Sequence, residues 1–254
     1  MGFLTAACTD AGMKMDENQD AILWETAYTS YGQVFFGAVC DGMGGLKKGE
    51  TASGSLIRGF SSWFHREFPP ILYSGMKEKD LRKSWERLLF EQDRRICRYG
   101  ENHEMQLGTT ALTLLLLGHS YYIVHVGDCR IYLIKDEVRQ LTKDQTFVQR
   151  EVDAGRMSPG EAGQHPKRHI LLQCIGAGNQ PEPVFYQGEF SADSIFVMCS
   201  DGFWHEIREE EFRTKLCPEK IRTEKAMEEA AKELICLSKL RGETDNLSVV
   251  LVRT

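Results

Sequence analysis

The order of the apolar segments constrains the fold of this chain more than any other feature of its sequence. Short runs rich in β-branched, aromatic and leucine side chains favour strands. Longer segments at residues 49–68, 79–99 and 223–240 place apolar residues near helical spacing. Strands therefore come first, followed by a pair of helices, further strands, a helix and a last strand. The predicted strands are FLTAAC, AILW, VFFGAVC, ALTLLLL, YYIVHV, RIYLI, SIFVMC and LSVVLV.

This order differs from the strict alternation of strand and helix in a doubly wound parallel sheet. It predicts an α+β fold of four layers, in which a central antiparallel β-sandwich is flanked by helices. No stretch rich in Pro, Gly or Ser divides the chain, so residues 1–254 are predicted to form a single domain. Residues 146–170 are polar and are interrupted by glycine and proline, which predicts a mobile surface flap.

Composition narrows the class of partner. The formal net charge of −6 disfavours nucleic acid, which usually selects a basic face. The eight cysteines include no CxxC pair, which argues against a zinc ribbon or a thioredoxin-type site. The sequence shows neither a signal peptide nor an apolar run long enough to cross a bilayer. We therefore expect a cytoplasmic protein without membrane contact.

Three acidic residues share one context, because each stands where an apolar strand emerges. Asp41 ends VFFGAVC, Asp201 follows SIFVMCS, and Asp245 precedes the last strand. If a sandwich brings these carboxylates to one rim, they repel one another unless a cation binds between them. Because the three offer oxygen donors, Mg²⁺ or Mn²⁺ is predicted rather than zinc.

An Asp-Gly step or a Gly-Asp step is more often a tight hairpin turn than a ligand site. That interpretation suits Gly127 and Asp128, since YYIVHV and RIYLI resemble the two arms of a hairpin. It does not suit Asp41 or Asp201, because a helical pattern follows each of them instead of a returning strand. Asp20, just before AILW, offers a further carboxylate.

A set of motifs in a fixed order carries a resemblance to a known family. The motifs are ENQDA at 17–21, VCDGMGGLKKGETAS at 39–53, GTT at 108–110, VGDCRIYL at 126–133, LTKDQT at 141–146, CSDGFW at 199–204 and DNLSVVLV at 245–252. Together they resemble the metal-dependent protein phosphatase family, type 2C, in its compact bacterial form. The resemblance runs from about Thr9 to Val252.

The resemblance implies a β-sandwich flanked by helices, with two Mn²⁺ or Mg²⁺ ions at one end. By that resemblance Asp41 bridges both metals and the Gly42 carbonyl ligates one of them. Asp201 and Asp245 bind the other metal, and Asp20 holds metal-bound waters. Asp128 becomes a candidate ligand of a third, weaker metal shared with Asp201, because a hairpin tip can also carry a ligand. Residues 146–170 correspond to the variable flap of the family.

The implied activity is hydrolysis of phosphoserine and phosphothreonine by direct attack of a metal-bridging hydroxide, without a phosphoenzyme. The implied substrates are phosphorylated proteins, with a Ser/Thr kinase as the source of the phosphate, and we expect a monomer.

Two positions depart from the family pattern. Met15 stands where many members carry an arginine that grips the substrate phosphate, and the adjacent Lys14 could replace it only as a point charge. Met43 stands where eukaryotic members carry a histidine proposed as general acid. His165 and His169, beside the flap, are candidates for a substrate role, against the alternative of ordinary surface histidines.

Other functions remain to be weighed. A phosphatase of the haloacid dehalogenase type would need a second Asp two residues after Asp41, where Met43 stands. A binding module without activity would lack at least one of the metal carboxylates, and all of them are present. A dedicated regulator that acts on a single phosphorylated partner, such as an anti-sigma antagonist, stays compatible with the sequence.

Overall fold

A computed structural model describes residues 2–14, 17–44 and 48–254 of the chain. Within these ranges the chain forms twelve strands and eight helices. The strands are β1 (Leu4–Asp10), β2 (Ala21–Thr29), β3 (Gly32–Cys40), β4 (Gly42–Gly44), β5 (Leu107–Thr109), β6 (Ala111–Leu117), β7 (Ser120–Val126), β8 (Arg130–Ile134), β9 (Val138–Gln140), β10 (Val184–Glu189), β11 (Ile195–Cys199) and β12 (Leu247–Arg253). The helices are α1 (Gly49–Arg66), α2 (Phe68–Tyr73), α3 (Glu78–Asn102), α4 (Phe147–Asp153), α5 (Pro159–Gln164), α6 (Asp201–Trp204), α7 (Glu209–Lys215) and α8 (Glu224–Leu240).

Two antiparallel sheets form the centre of the molecule. One has the order β1-β12-β11-β8-β9 and the other β10-β7-β6-β3-β2, while β4 pairs with β5 alone. Helices α1 to α3 share a buried cluster with the second sheet, and α8 shares one with the first. A third cluster fills the space between the sheets. The predicted α+β sandwich with flanking helices is confirmed.

Strand β3 shows why the central strands are continuously apolar. Val34, Phe36 and Ala38 face the helices of the outer layer. Phe35 and Val39 face the opposite sheet. Because both faces are buried, the strand needs apolar residues at every position and loses the alternation of a half-exposed strand.

The first predicted helix is shorter than its apolar pattern. Helix α1 ends at Arg66, and a new helix, α2, begins at Phe68. Pro69 and Pro70 lack a backbone N–H, so they are accepted in the first turn of a new helix and not inside a continuing one. The predicted helices at 79–99 and 223–240 correspond to α3 and α8.

The predicted hairpin at Gly127 and Asp128 is wrong. Strand β7 pairs with β6 and β10, whereas β8 pairs with β11 and β9 in the other sheet. Residues 127–129 therefore carry the chain from one sheet to the other. Gly127 has φ +112°, and a Cβ there would lie 2.5 Å from the Thr110 side chain, so both the turn and the packing require glycine.

The flap predicted at residues 146–170 contains two short helices, α4 and α5. Thr146 caps α4 by accepting from Gln149 N, and Ser158 forms a capping box with Glu161 at the start of α5. A backbone hydrogen bond from Phe147 N to the carbonyl of residue 170 joins the two ends of the flap. The mobility of the flap stays a prediction.

Among the described residues, no helix combines the length and the apolar character needed to cross a membrane.

Candidate metal centre

The ends of several strands deliver acidic side chains to one end of the sandwich. Asp20 directly precedes β2 and Asp41 directly follows β3, and the register places their neighbours Ala21 and Cys40 opposite each other. On the other sheet Asp201 comes just after β11, and Asp245 comes just before β12. Asp128 lies in the crossing between β7 and β8.

Asp41 is fixed by its backbone. Its N–H donates to Thr110 Oγ1 at 2.8 Å, and the Thr110 N–H donates to its carbonyl at 2.8 Å. The GTT motif therefore holds the end of β3 in place. A Cβ on Gly42 would lie 2.6 Å from the carbonyl oxygen of Gln19, so glycine is needed where the two segments touch.

Asn246 ties the segment that carries Asp20 to the segment that carries Asp245. Its side-chain oxygen accepts from Gln19 N at 2.8 Å, and its side-chain nitrogen donates to the carbonyl of Ala11 at 2.9 Å. The Asn246 N–H donates to Asp245 Oδ1 at 2.8 Å. The sequence signal for this asparagine is its place inside the DN motif, directly after Asp245.

Two carboxylate oxygens in this region lack a hydrogen-bond partner among the described residues. Ser200 Oγ donates to Asp20 Oδ2 at 2.8 Å, but Asp20 Oδ1 has no partner. Asp201 is 6% exposed and its Oδ1 has none either. A buried polar atom without a partner costs about 1–3 kcal/mol, and more when it is charged. Such atoms are candidates for metal coordination.

The electrostatics of the acids are coupled. Burial raises the pKa of Asp41, and the charges of Asp20, Asp201, Asp128 and Asp245 raise it further. Burial likewise raises the pKa of Asp128, with Asp201 adding to the effect. The same cause, followed by the repulsion of Asp201, raises the pKa of Asp245. The five carboxylates therefore face one another closely enough to destabilise each other's charge.

A divalent cation suits this arrangement. The donors are carboxylate oxygens, which Mg²⁺ and Mn²⁺ prefer, and a bound cation removes the mutual repulsion. The unpartnered oxygens of Asp20 and Asp201 would gain a ligand. The residues present therefore fit a centre of hard divalent cations.

Two histidines adjoin Asp201, so the donors in this region are not limited to oxygen. His169 Nδ1 lies 4.0 Å and His205 Nδ1 lies 3.9 Å from Asp201 Oδ2. Burial acts to raise the pKa of Asp201, but the two imidazoles outweigh it and hold this pKa below its ordinary value. The spacing of four residues between Asp201 and His205, in a segment predicted to be helical, was the sequence signal for this contact.

The residues predicted to bind the substrate, Lys14 and His165, are not part of the acidic cluster. Lys14 is exposed. The nearby Gly12 packs closely on the backbone of Asp245, since a Cβ at Gly12 would lie 2.1 Å from the Asp245 carbonyl oxygen. Met15 lies outside the described residues. His165 ends α5, where its Nδ1 accepts from Lys167 N at 3.1 Å. In the described part of the chain His165 has no hydrogen bond or ion pair with the acids, and its substrate role stays a prediction.

Comparison with known proteins places the chain in a family. The family model for protein phosphatase 2C matches residues 14–237. The chain is 31% identical over 248 residues to the serine/threonine protein phosphatase PstP of Mycobacterium tuberculosis, covering 97% of this chain and 44% of that protein. It therefore spans less than half the length of this relative. It is also 32% identical over 219 residues to the serine/threonine phosphatase stp of Listeria monocytogenes, covering 84% of this chain and 82% of that one.

Solved structures agree in fold. The catalytic domain of the serine threonine protein phosphatase PstP, in complex with 2 manganese ions, superimposes with a TM-score of 0.77 at 29% identity. The match covers 99% of this chain and 97% of that domain. Together with the match of the family model over most of its length, this similarity shows that the chain belongs to the protein phosphatase 2C family.

Proposed function

We propose that this chain is a metal-dependent serine/threonine protein phosphatase, which hydrolyses phosphoserine and phosphothreonine by direct attack of hydroxide. One observation carries the proposal. Five carboxylates from separate segments face one another at one end of the sandwich, and two of them keep a buried oxygen without a partner. Membership of the phosphatase 2C family supports the same conclusion.

The residues divide into ligands and supports. Glycine at position 49 leaves room beside the Gly42 carbonyl, since a Cβ there would lie 2.4 Å from its oxygen. Thr110 orients Asp41 through its two hydrogen bonds, and Ser200 orients Asp20. We assign two cations to Asp41, the Gly42 carbonyl, Asp201, Asp245 and Asp20, and a third to Asp128 with Asp201.

The cations proposed are Mn²⁺ or Mg²⁺, and the two manganese ions of the PstP domain support this choice. When bound, they supply activation of water near neutral pH and neutralise charge on the phosphoryl group. Asp20 would accept hydrogen bonds from water in the centre. Lys14 would attract the substrate phosphate as a point charge.

The proposed substrates are phosphorylated proteins, with a Ser/Thr kinase as the enzyme that phosphorylates them. The formal charge of −6 supports a protein partner over nucleic acid. We further propose a single catalytic domain over residues 1–254 with the flap at 146–170, a monomer, and a cytoplasmic location.

The experiment is hydrolysis of p-nitrophenyl phosphate and of a phosphothreonine peptide, measured with Mn²⁺, with Mg²⁺ and with EDTA. Activity should require the metal. Asp41→Asn should lower kcat by at least about 10²-fold, the scale of losing one electrostatic contact to the transition state. The matched control is Asp136→Asn, at an exposed turn between β8 and β9, which should leave kcat unchanged. Full activity in EDTA, or in the Asp41 variant, would overturn the proposal.

A further inference from the structure

Three side chains with metal-binding atoms meet beside the proposed phosphatase centre. His169 belongs to the C-terminal end of the flap, Asp201 begins α6, and His205 directly follows that helix. One ligand atom from each of the three lies within 4.8 Å of the other two. Both imidazoles direct Nδ1 at the same oxygen, Asp201 Oδ2.

The distances suit a shared cation better than direct hydrogen bonds. The separations of 4.0 Å for His169 and 3.9 Å for His205 exceed hydrogen-bond length. Bonds from zinc to nitrogen or oxygen are about 2.0–2.2 Å long, so two ligands of one ion lie at most about 4.3 Å apart. Small side-chain rotations would bring the three atoms to a tetrahedral spacing.

Two further observations concern the carboxylates beside these histidines. Asp201 is 6% exposed, and its Oδ1 has no partner in the part of the chain that the structure describes. Glu243 is also buried, and its Oε2 lies 3.6 Å from His205 Nδ1. Its other oxygen, Oε1, accepts from the backbone of Thr244 and of Asp245, which fixes the carboxylate in place. Glu243 therefore adds a second, already oriented carboxylate beside His205.

We propose that His169, Asp201 and His205, beside the oriented carboxylate of Glu243, form a mixed nitrogen and oxygen site for a transition-metal cation such as Zn²⁺. Imidazole donors favour zinc, whereas the proposed phosphatase centre offers oxygen alone. The site shares Asp201 with that centre, but it rests on its own donors and not on the proposed activity.

The cation would fasten the flap to α6. His169 comes at the end of the flap, and His205 directly follows the short helix α6. A cavity of about 270 Å³ lies beside His205 and is also lined by Gln149 and Pro159 of the flap. A metal bridge from His169 to His205 would hold the flap over this cavity.

The test uses Zn²⁺ and the spectroscopic probe Co²⁺ on the full chain. Equilibrium dialysis should give one Zn²⁺ fewer per chain in His169→Gln and in His205→Gln than in the unaltered protein. In the Co²⁺-loaded protein, proton NMR should show hyperfine-shifted imidazole signals from two rings, and both sets should be lost in each variant because the site no longer holds the ion. His119→Gln, at an exposed turn, is the matched control and should bind as the unaltered protein does.

His169 is 52% exposed at its side chain, so its replacement leaves the fold intact even if the His205 variant is destabilised. Equal Zn²⁺ stoichiometry in His169→Gln and the unaltered protein, without shifted imidazole signals, would overturn the site and leave a simple His–Asp ion pair. Asp41→Asn separates the two proposals, because it should lower kcat for phosphate hydrolysis by at least about 10²-fold and keep the imidazole signals. Absent hydrolysis with intact imidazole signals in the unaltered protein would contradict the phosphatase alone.

Discussion

Ser200 Oγ donates a hydrogen bond of 2.8 Å to Asp20 Oδ2, although 180 positions separate the two residues in the chain. This contact joins a residue before β2 to the residue after β11, and so it links the two sheets at the proposed metal centre. Ser200 is itself fully buried, and its oxygen also accepts from Ser248 N at 3.0 Å. The hydroxyl therefore positions a carboxylate without binding metal itself.

Ser200→Ala should weaken Mn²⁺ binding by about tenfold, the usual scale for losing a group that orients a ligand. Calorimetric titration with Mn²⁺ measures the affinity, and urea unfolding records the loss of stability separately. Ser74→Ala, at an exposed helix end, is the control. An unchanged Mn²⁺ affinity in Ser200→Ala would show that Asp20 is oriented by other contacts.

Asp41→Asn should stabilise the metal-free protein at pH 8. The folded-state pKa of Asp41 is raised by burial and by four neighbouring acids, so its charged form opposes folding above the unfolded pKa. The gain follows from the direction of the shift, because the variant removes a charge that the folded state destabilises. Thermal unfolding in EDTA measures it, and added Mn²⁺ should raise the Tm of the unaltered protein more than that of the variant. A lower Tm for Asp41→Asn in EDTA would contradict the expected repulsion.

His125 should make the protein less stable in mild acid. It is fully buried, and both ring nitrogens lack partners among the described residues. Burial lowers its pKa to about 4. Because the unfolded chain takes up the proton near pH 6.5 and the folded protein near 4, the stability is present above 6.5 and is lost as the pH falls towards 4.

The expected loss from this one group between pH 7 and pH 5 is about 2 kcal/mol. Urea unfolding at pH 7 and pH 5 gives the fall in the free energy of unfolding for each protein. In His125→Leu this fall should be smaller than in the unaltered protein by the contribution of His125. His119→Leu, at an exposed position, should keep the full pH dependence. Equal pH dependence in His125→Leu and the unaltered protein would contradict the prediction.

Asp144→Ala should be strongly destabilising, because it leaves Arg130 without its partner. Arg130 donates to both oxygens of Asp144 at 2.9 and 2.6 Å, and its guanidinium lies 3.2 Å from the ring centre of Trp204. Removing one partner of a buried pair costs about 3–5 kcal/mol. Urea unfolding measures the loss. Arg213→Ala breaks an exposed pair with Glu210 and should cost much less, because water screens an exposed ion pair. Similar losses in the two variants would show that burial does not strengthen the Arg130 contact.

Met15→Arg should lower the KM for p-nitrophenyl phosphate by roughly three- to tenfold, since arginine binds phosphate through two hydrogen bonds. The prediction comes from the family pattern in the sequence, as Met15 lies outside the described residues. Met13→Arg adds the same charge two positions earlier and serves as control. An equal fall in KM for both variants would indicate that the added positive charge attracts the phosphate without a specific hydrogen bond from position 15.

Apolar patterning and the Asp-containing motifs predicted much of this protein. The runs around Phe35 and Val250 form central strands. Such strands are buried on both faces and therefore need continuous apolar residues, and this composition can be read directly from the sequence. Asp41, Asp201 and Asp245 were recognised for the same reason, since each follows or precedes such a run directly. Small elements such as α2 and β10 were missed because they are short and depend on packing against larger neighbours.

Strand pairing was decided by tertiary structure alone. The sequence around Asp128 has the pattern of a hairpin, but β8 finds its partners in the opposite sheet because β6 and β10 already occupy both edges of β7. The approach of His169 to Asp201 is a second case, as 32 positions separate the two. The sequence by itself determined which segments are buried and which carboxylates stand at their ends. Only the fold decided which of these residues meet, because long-range contacts depend on how the layers pack and not on local pattern.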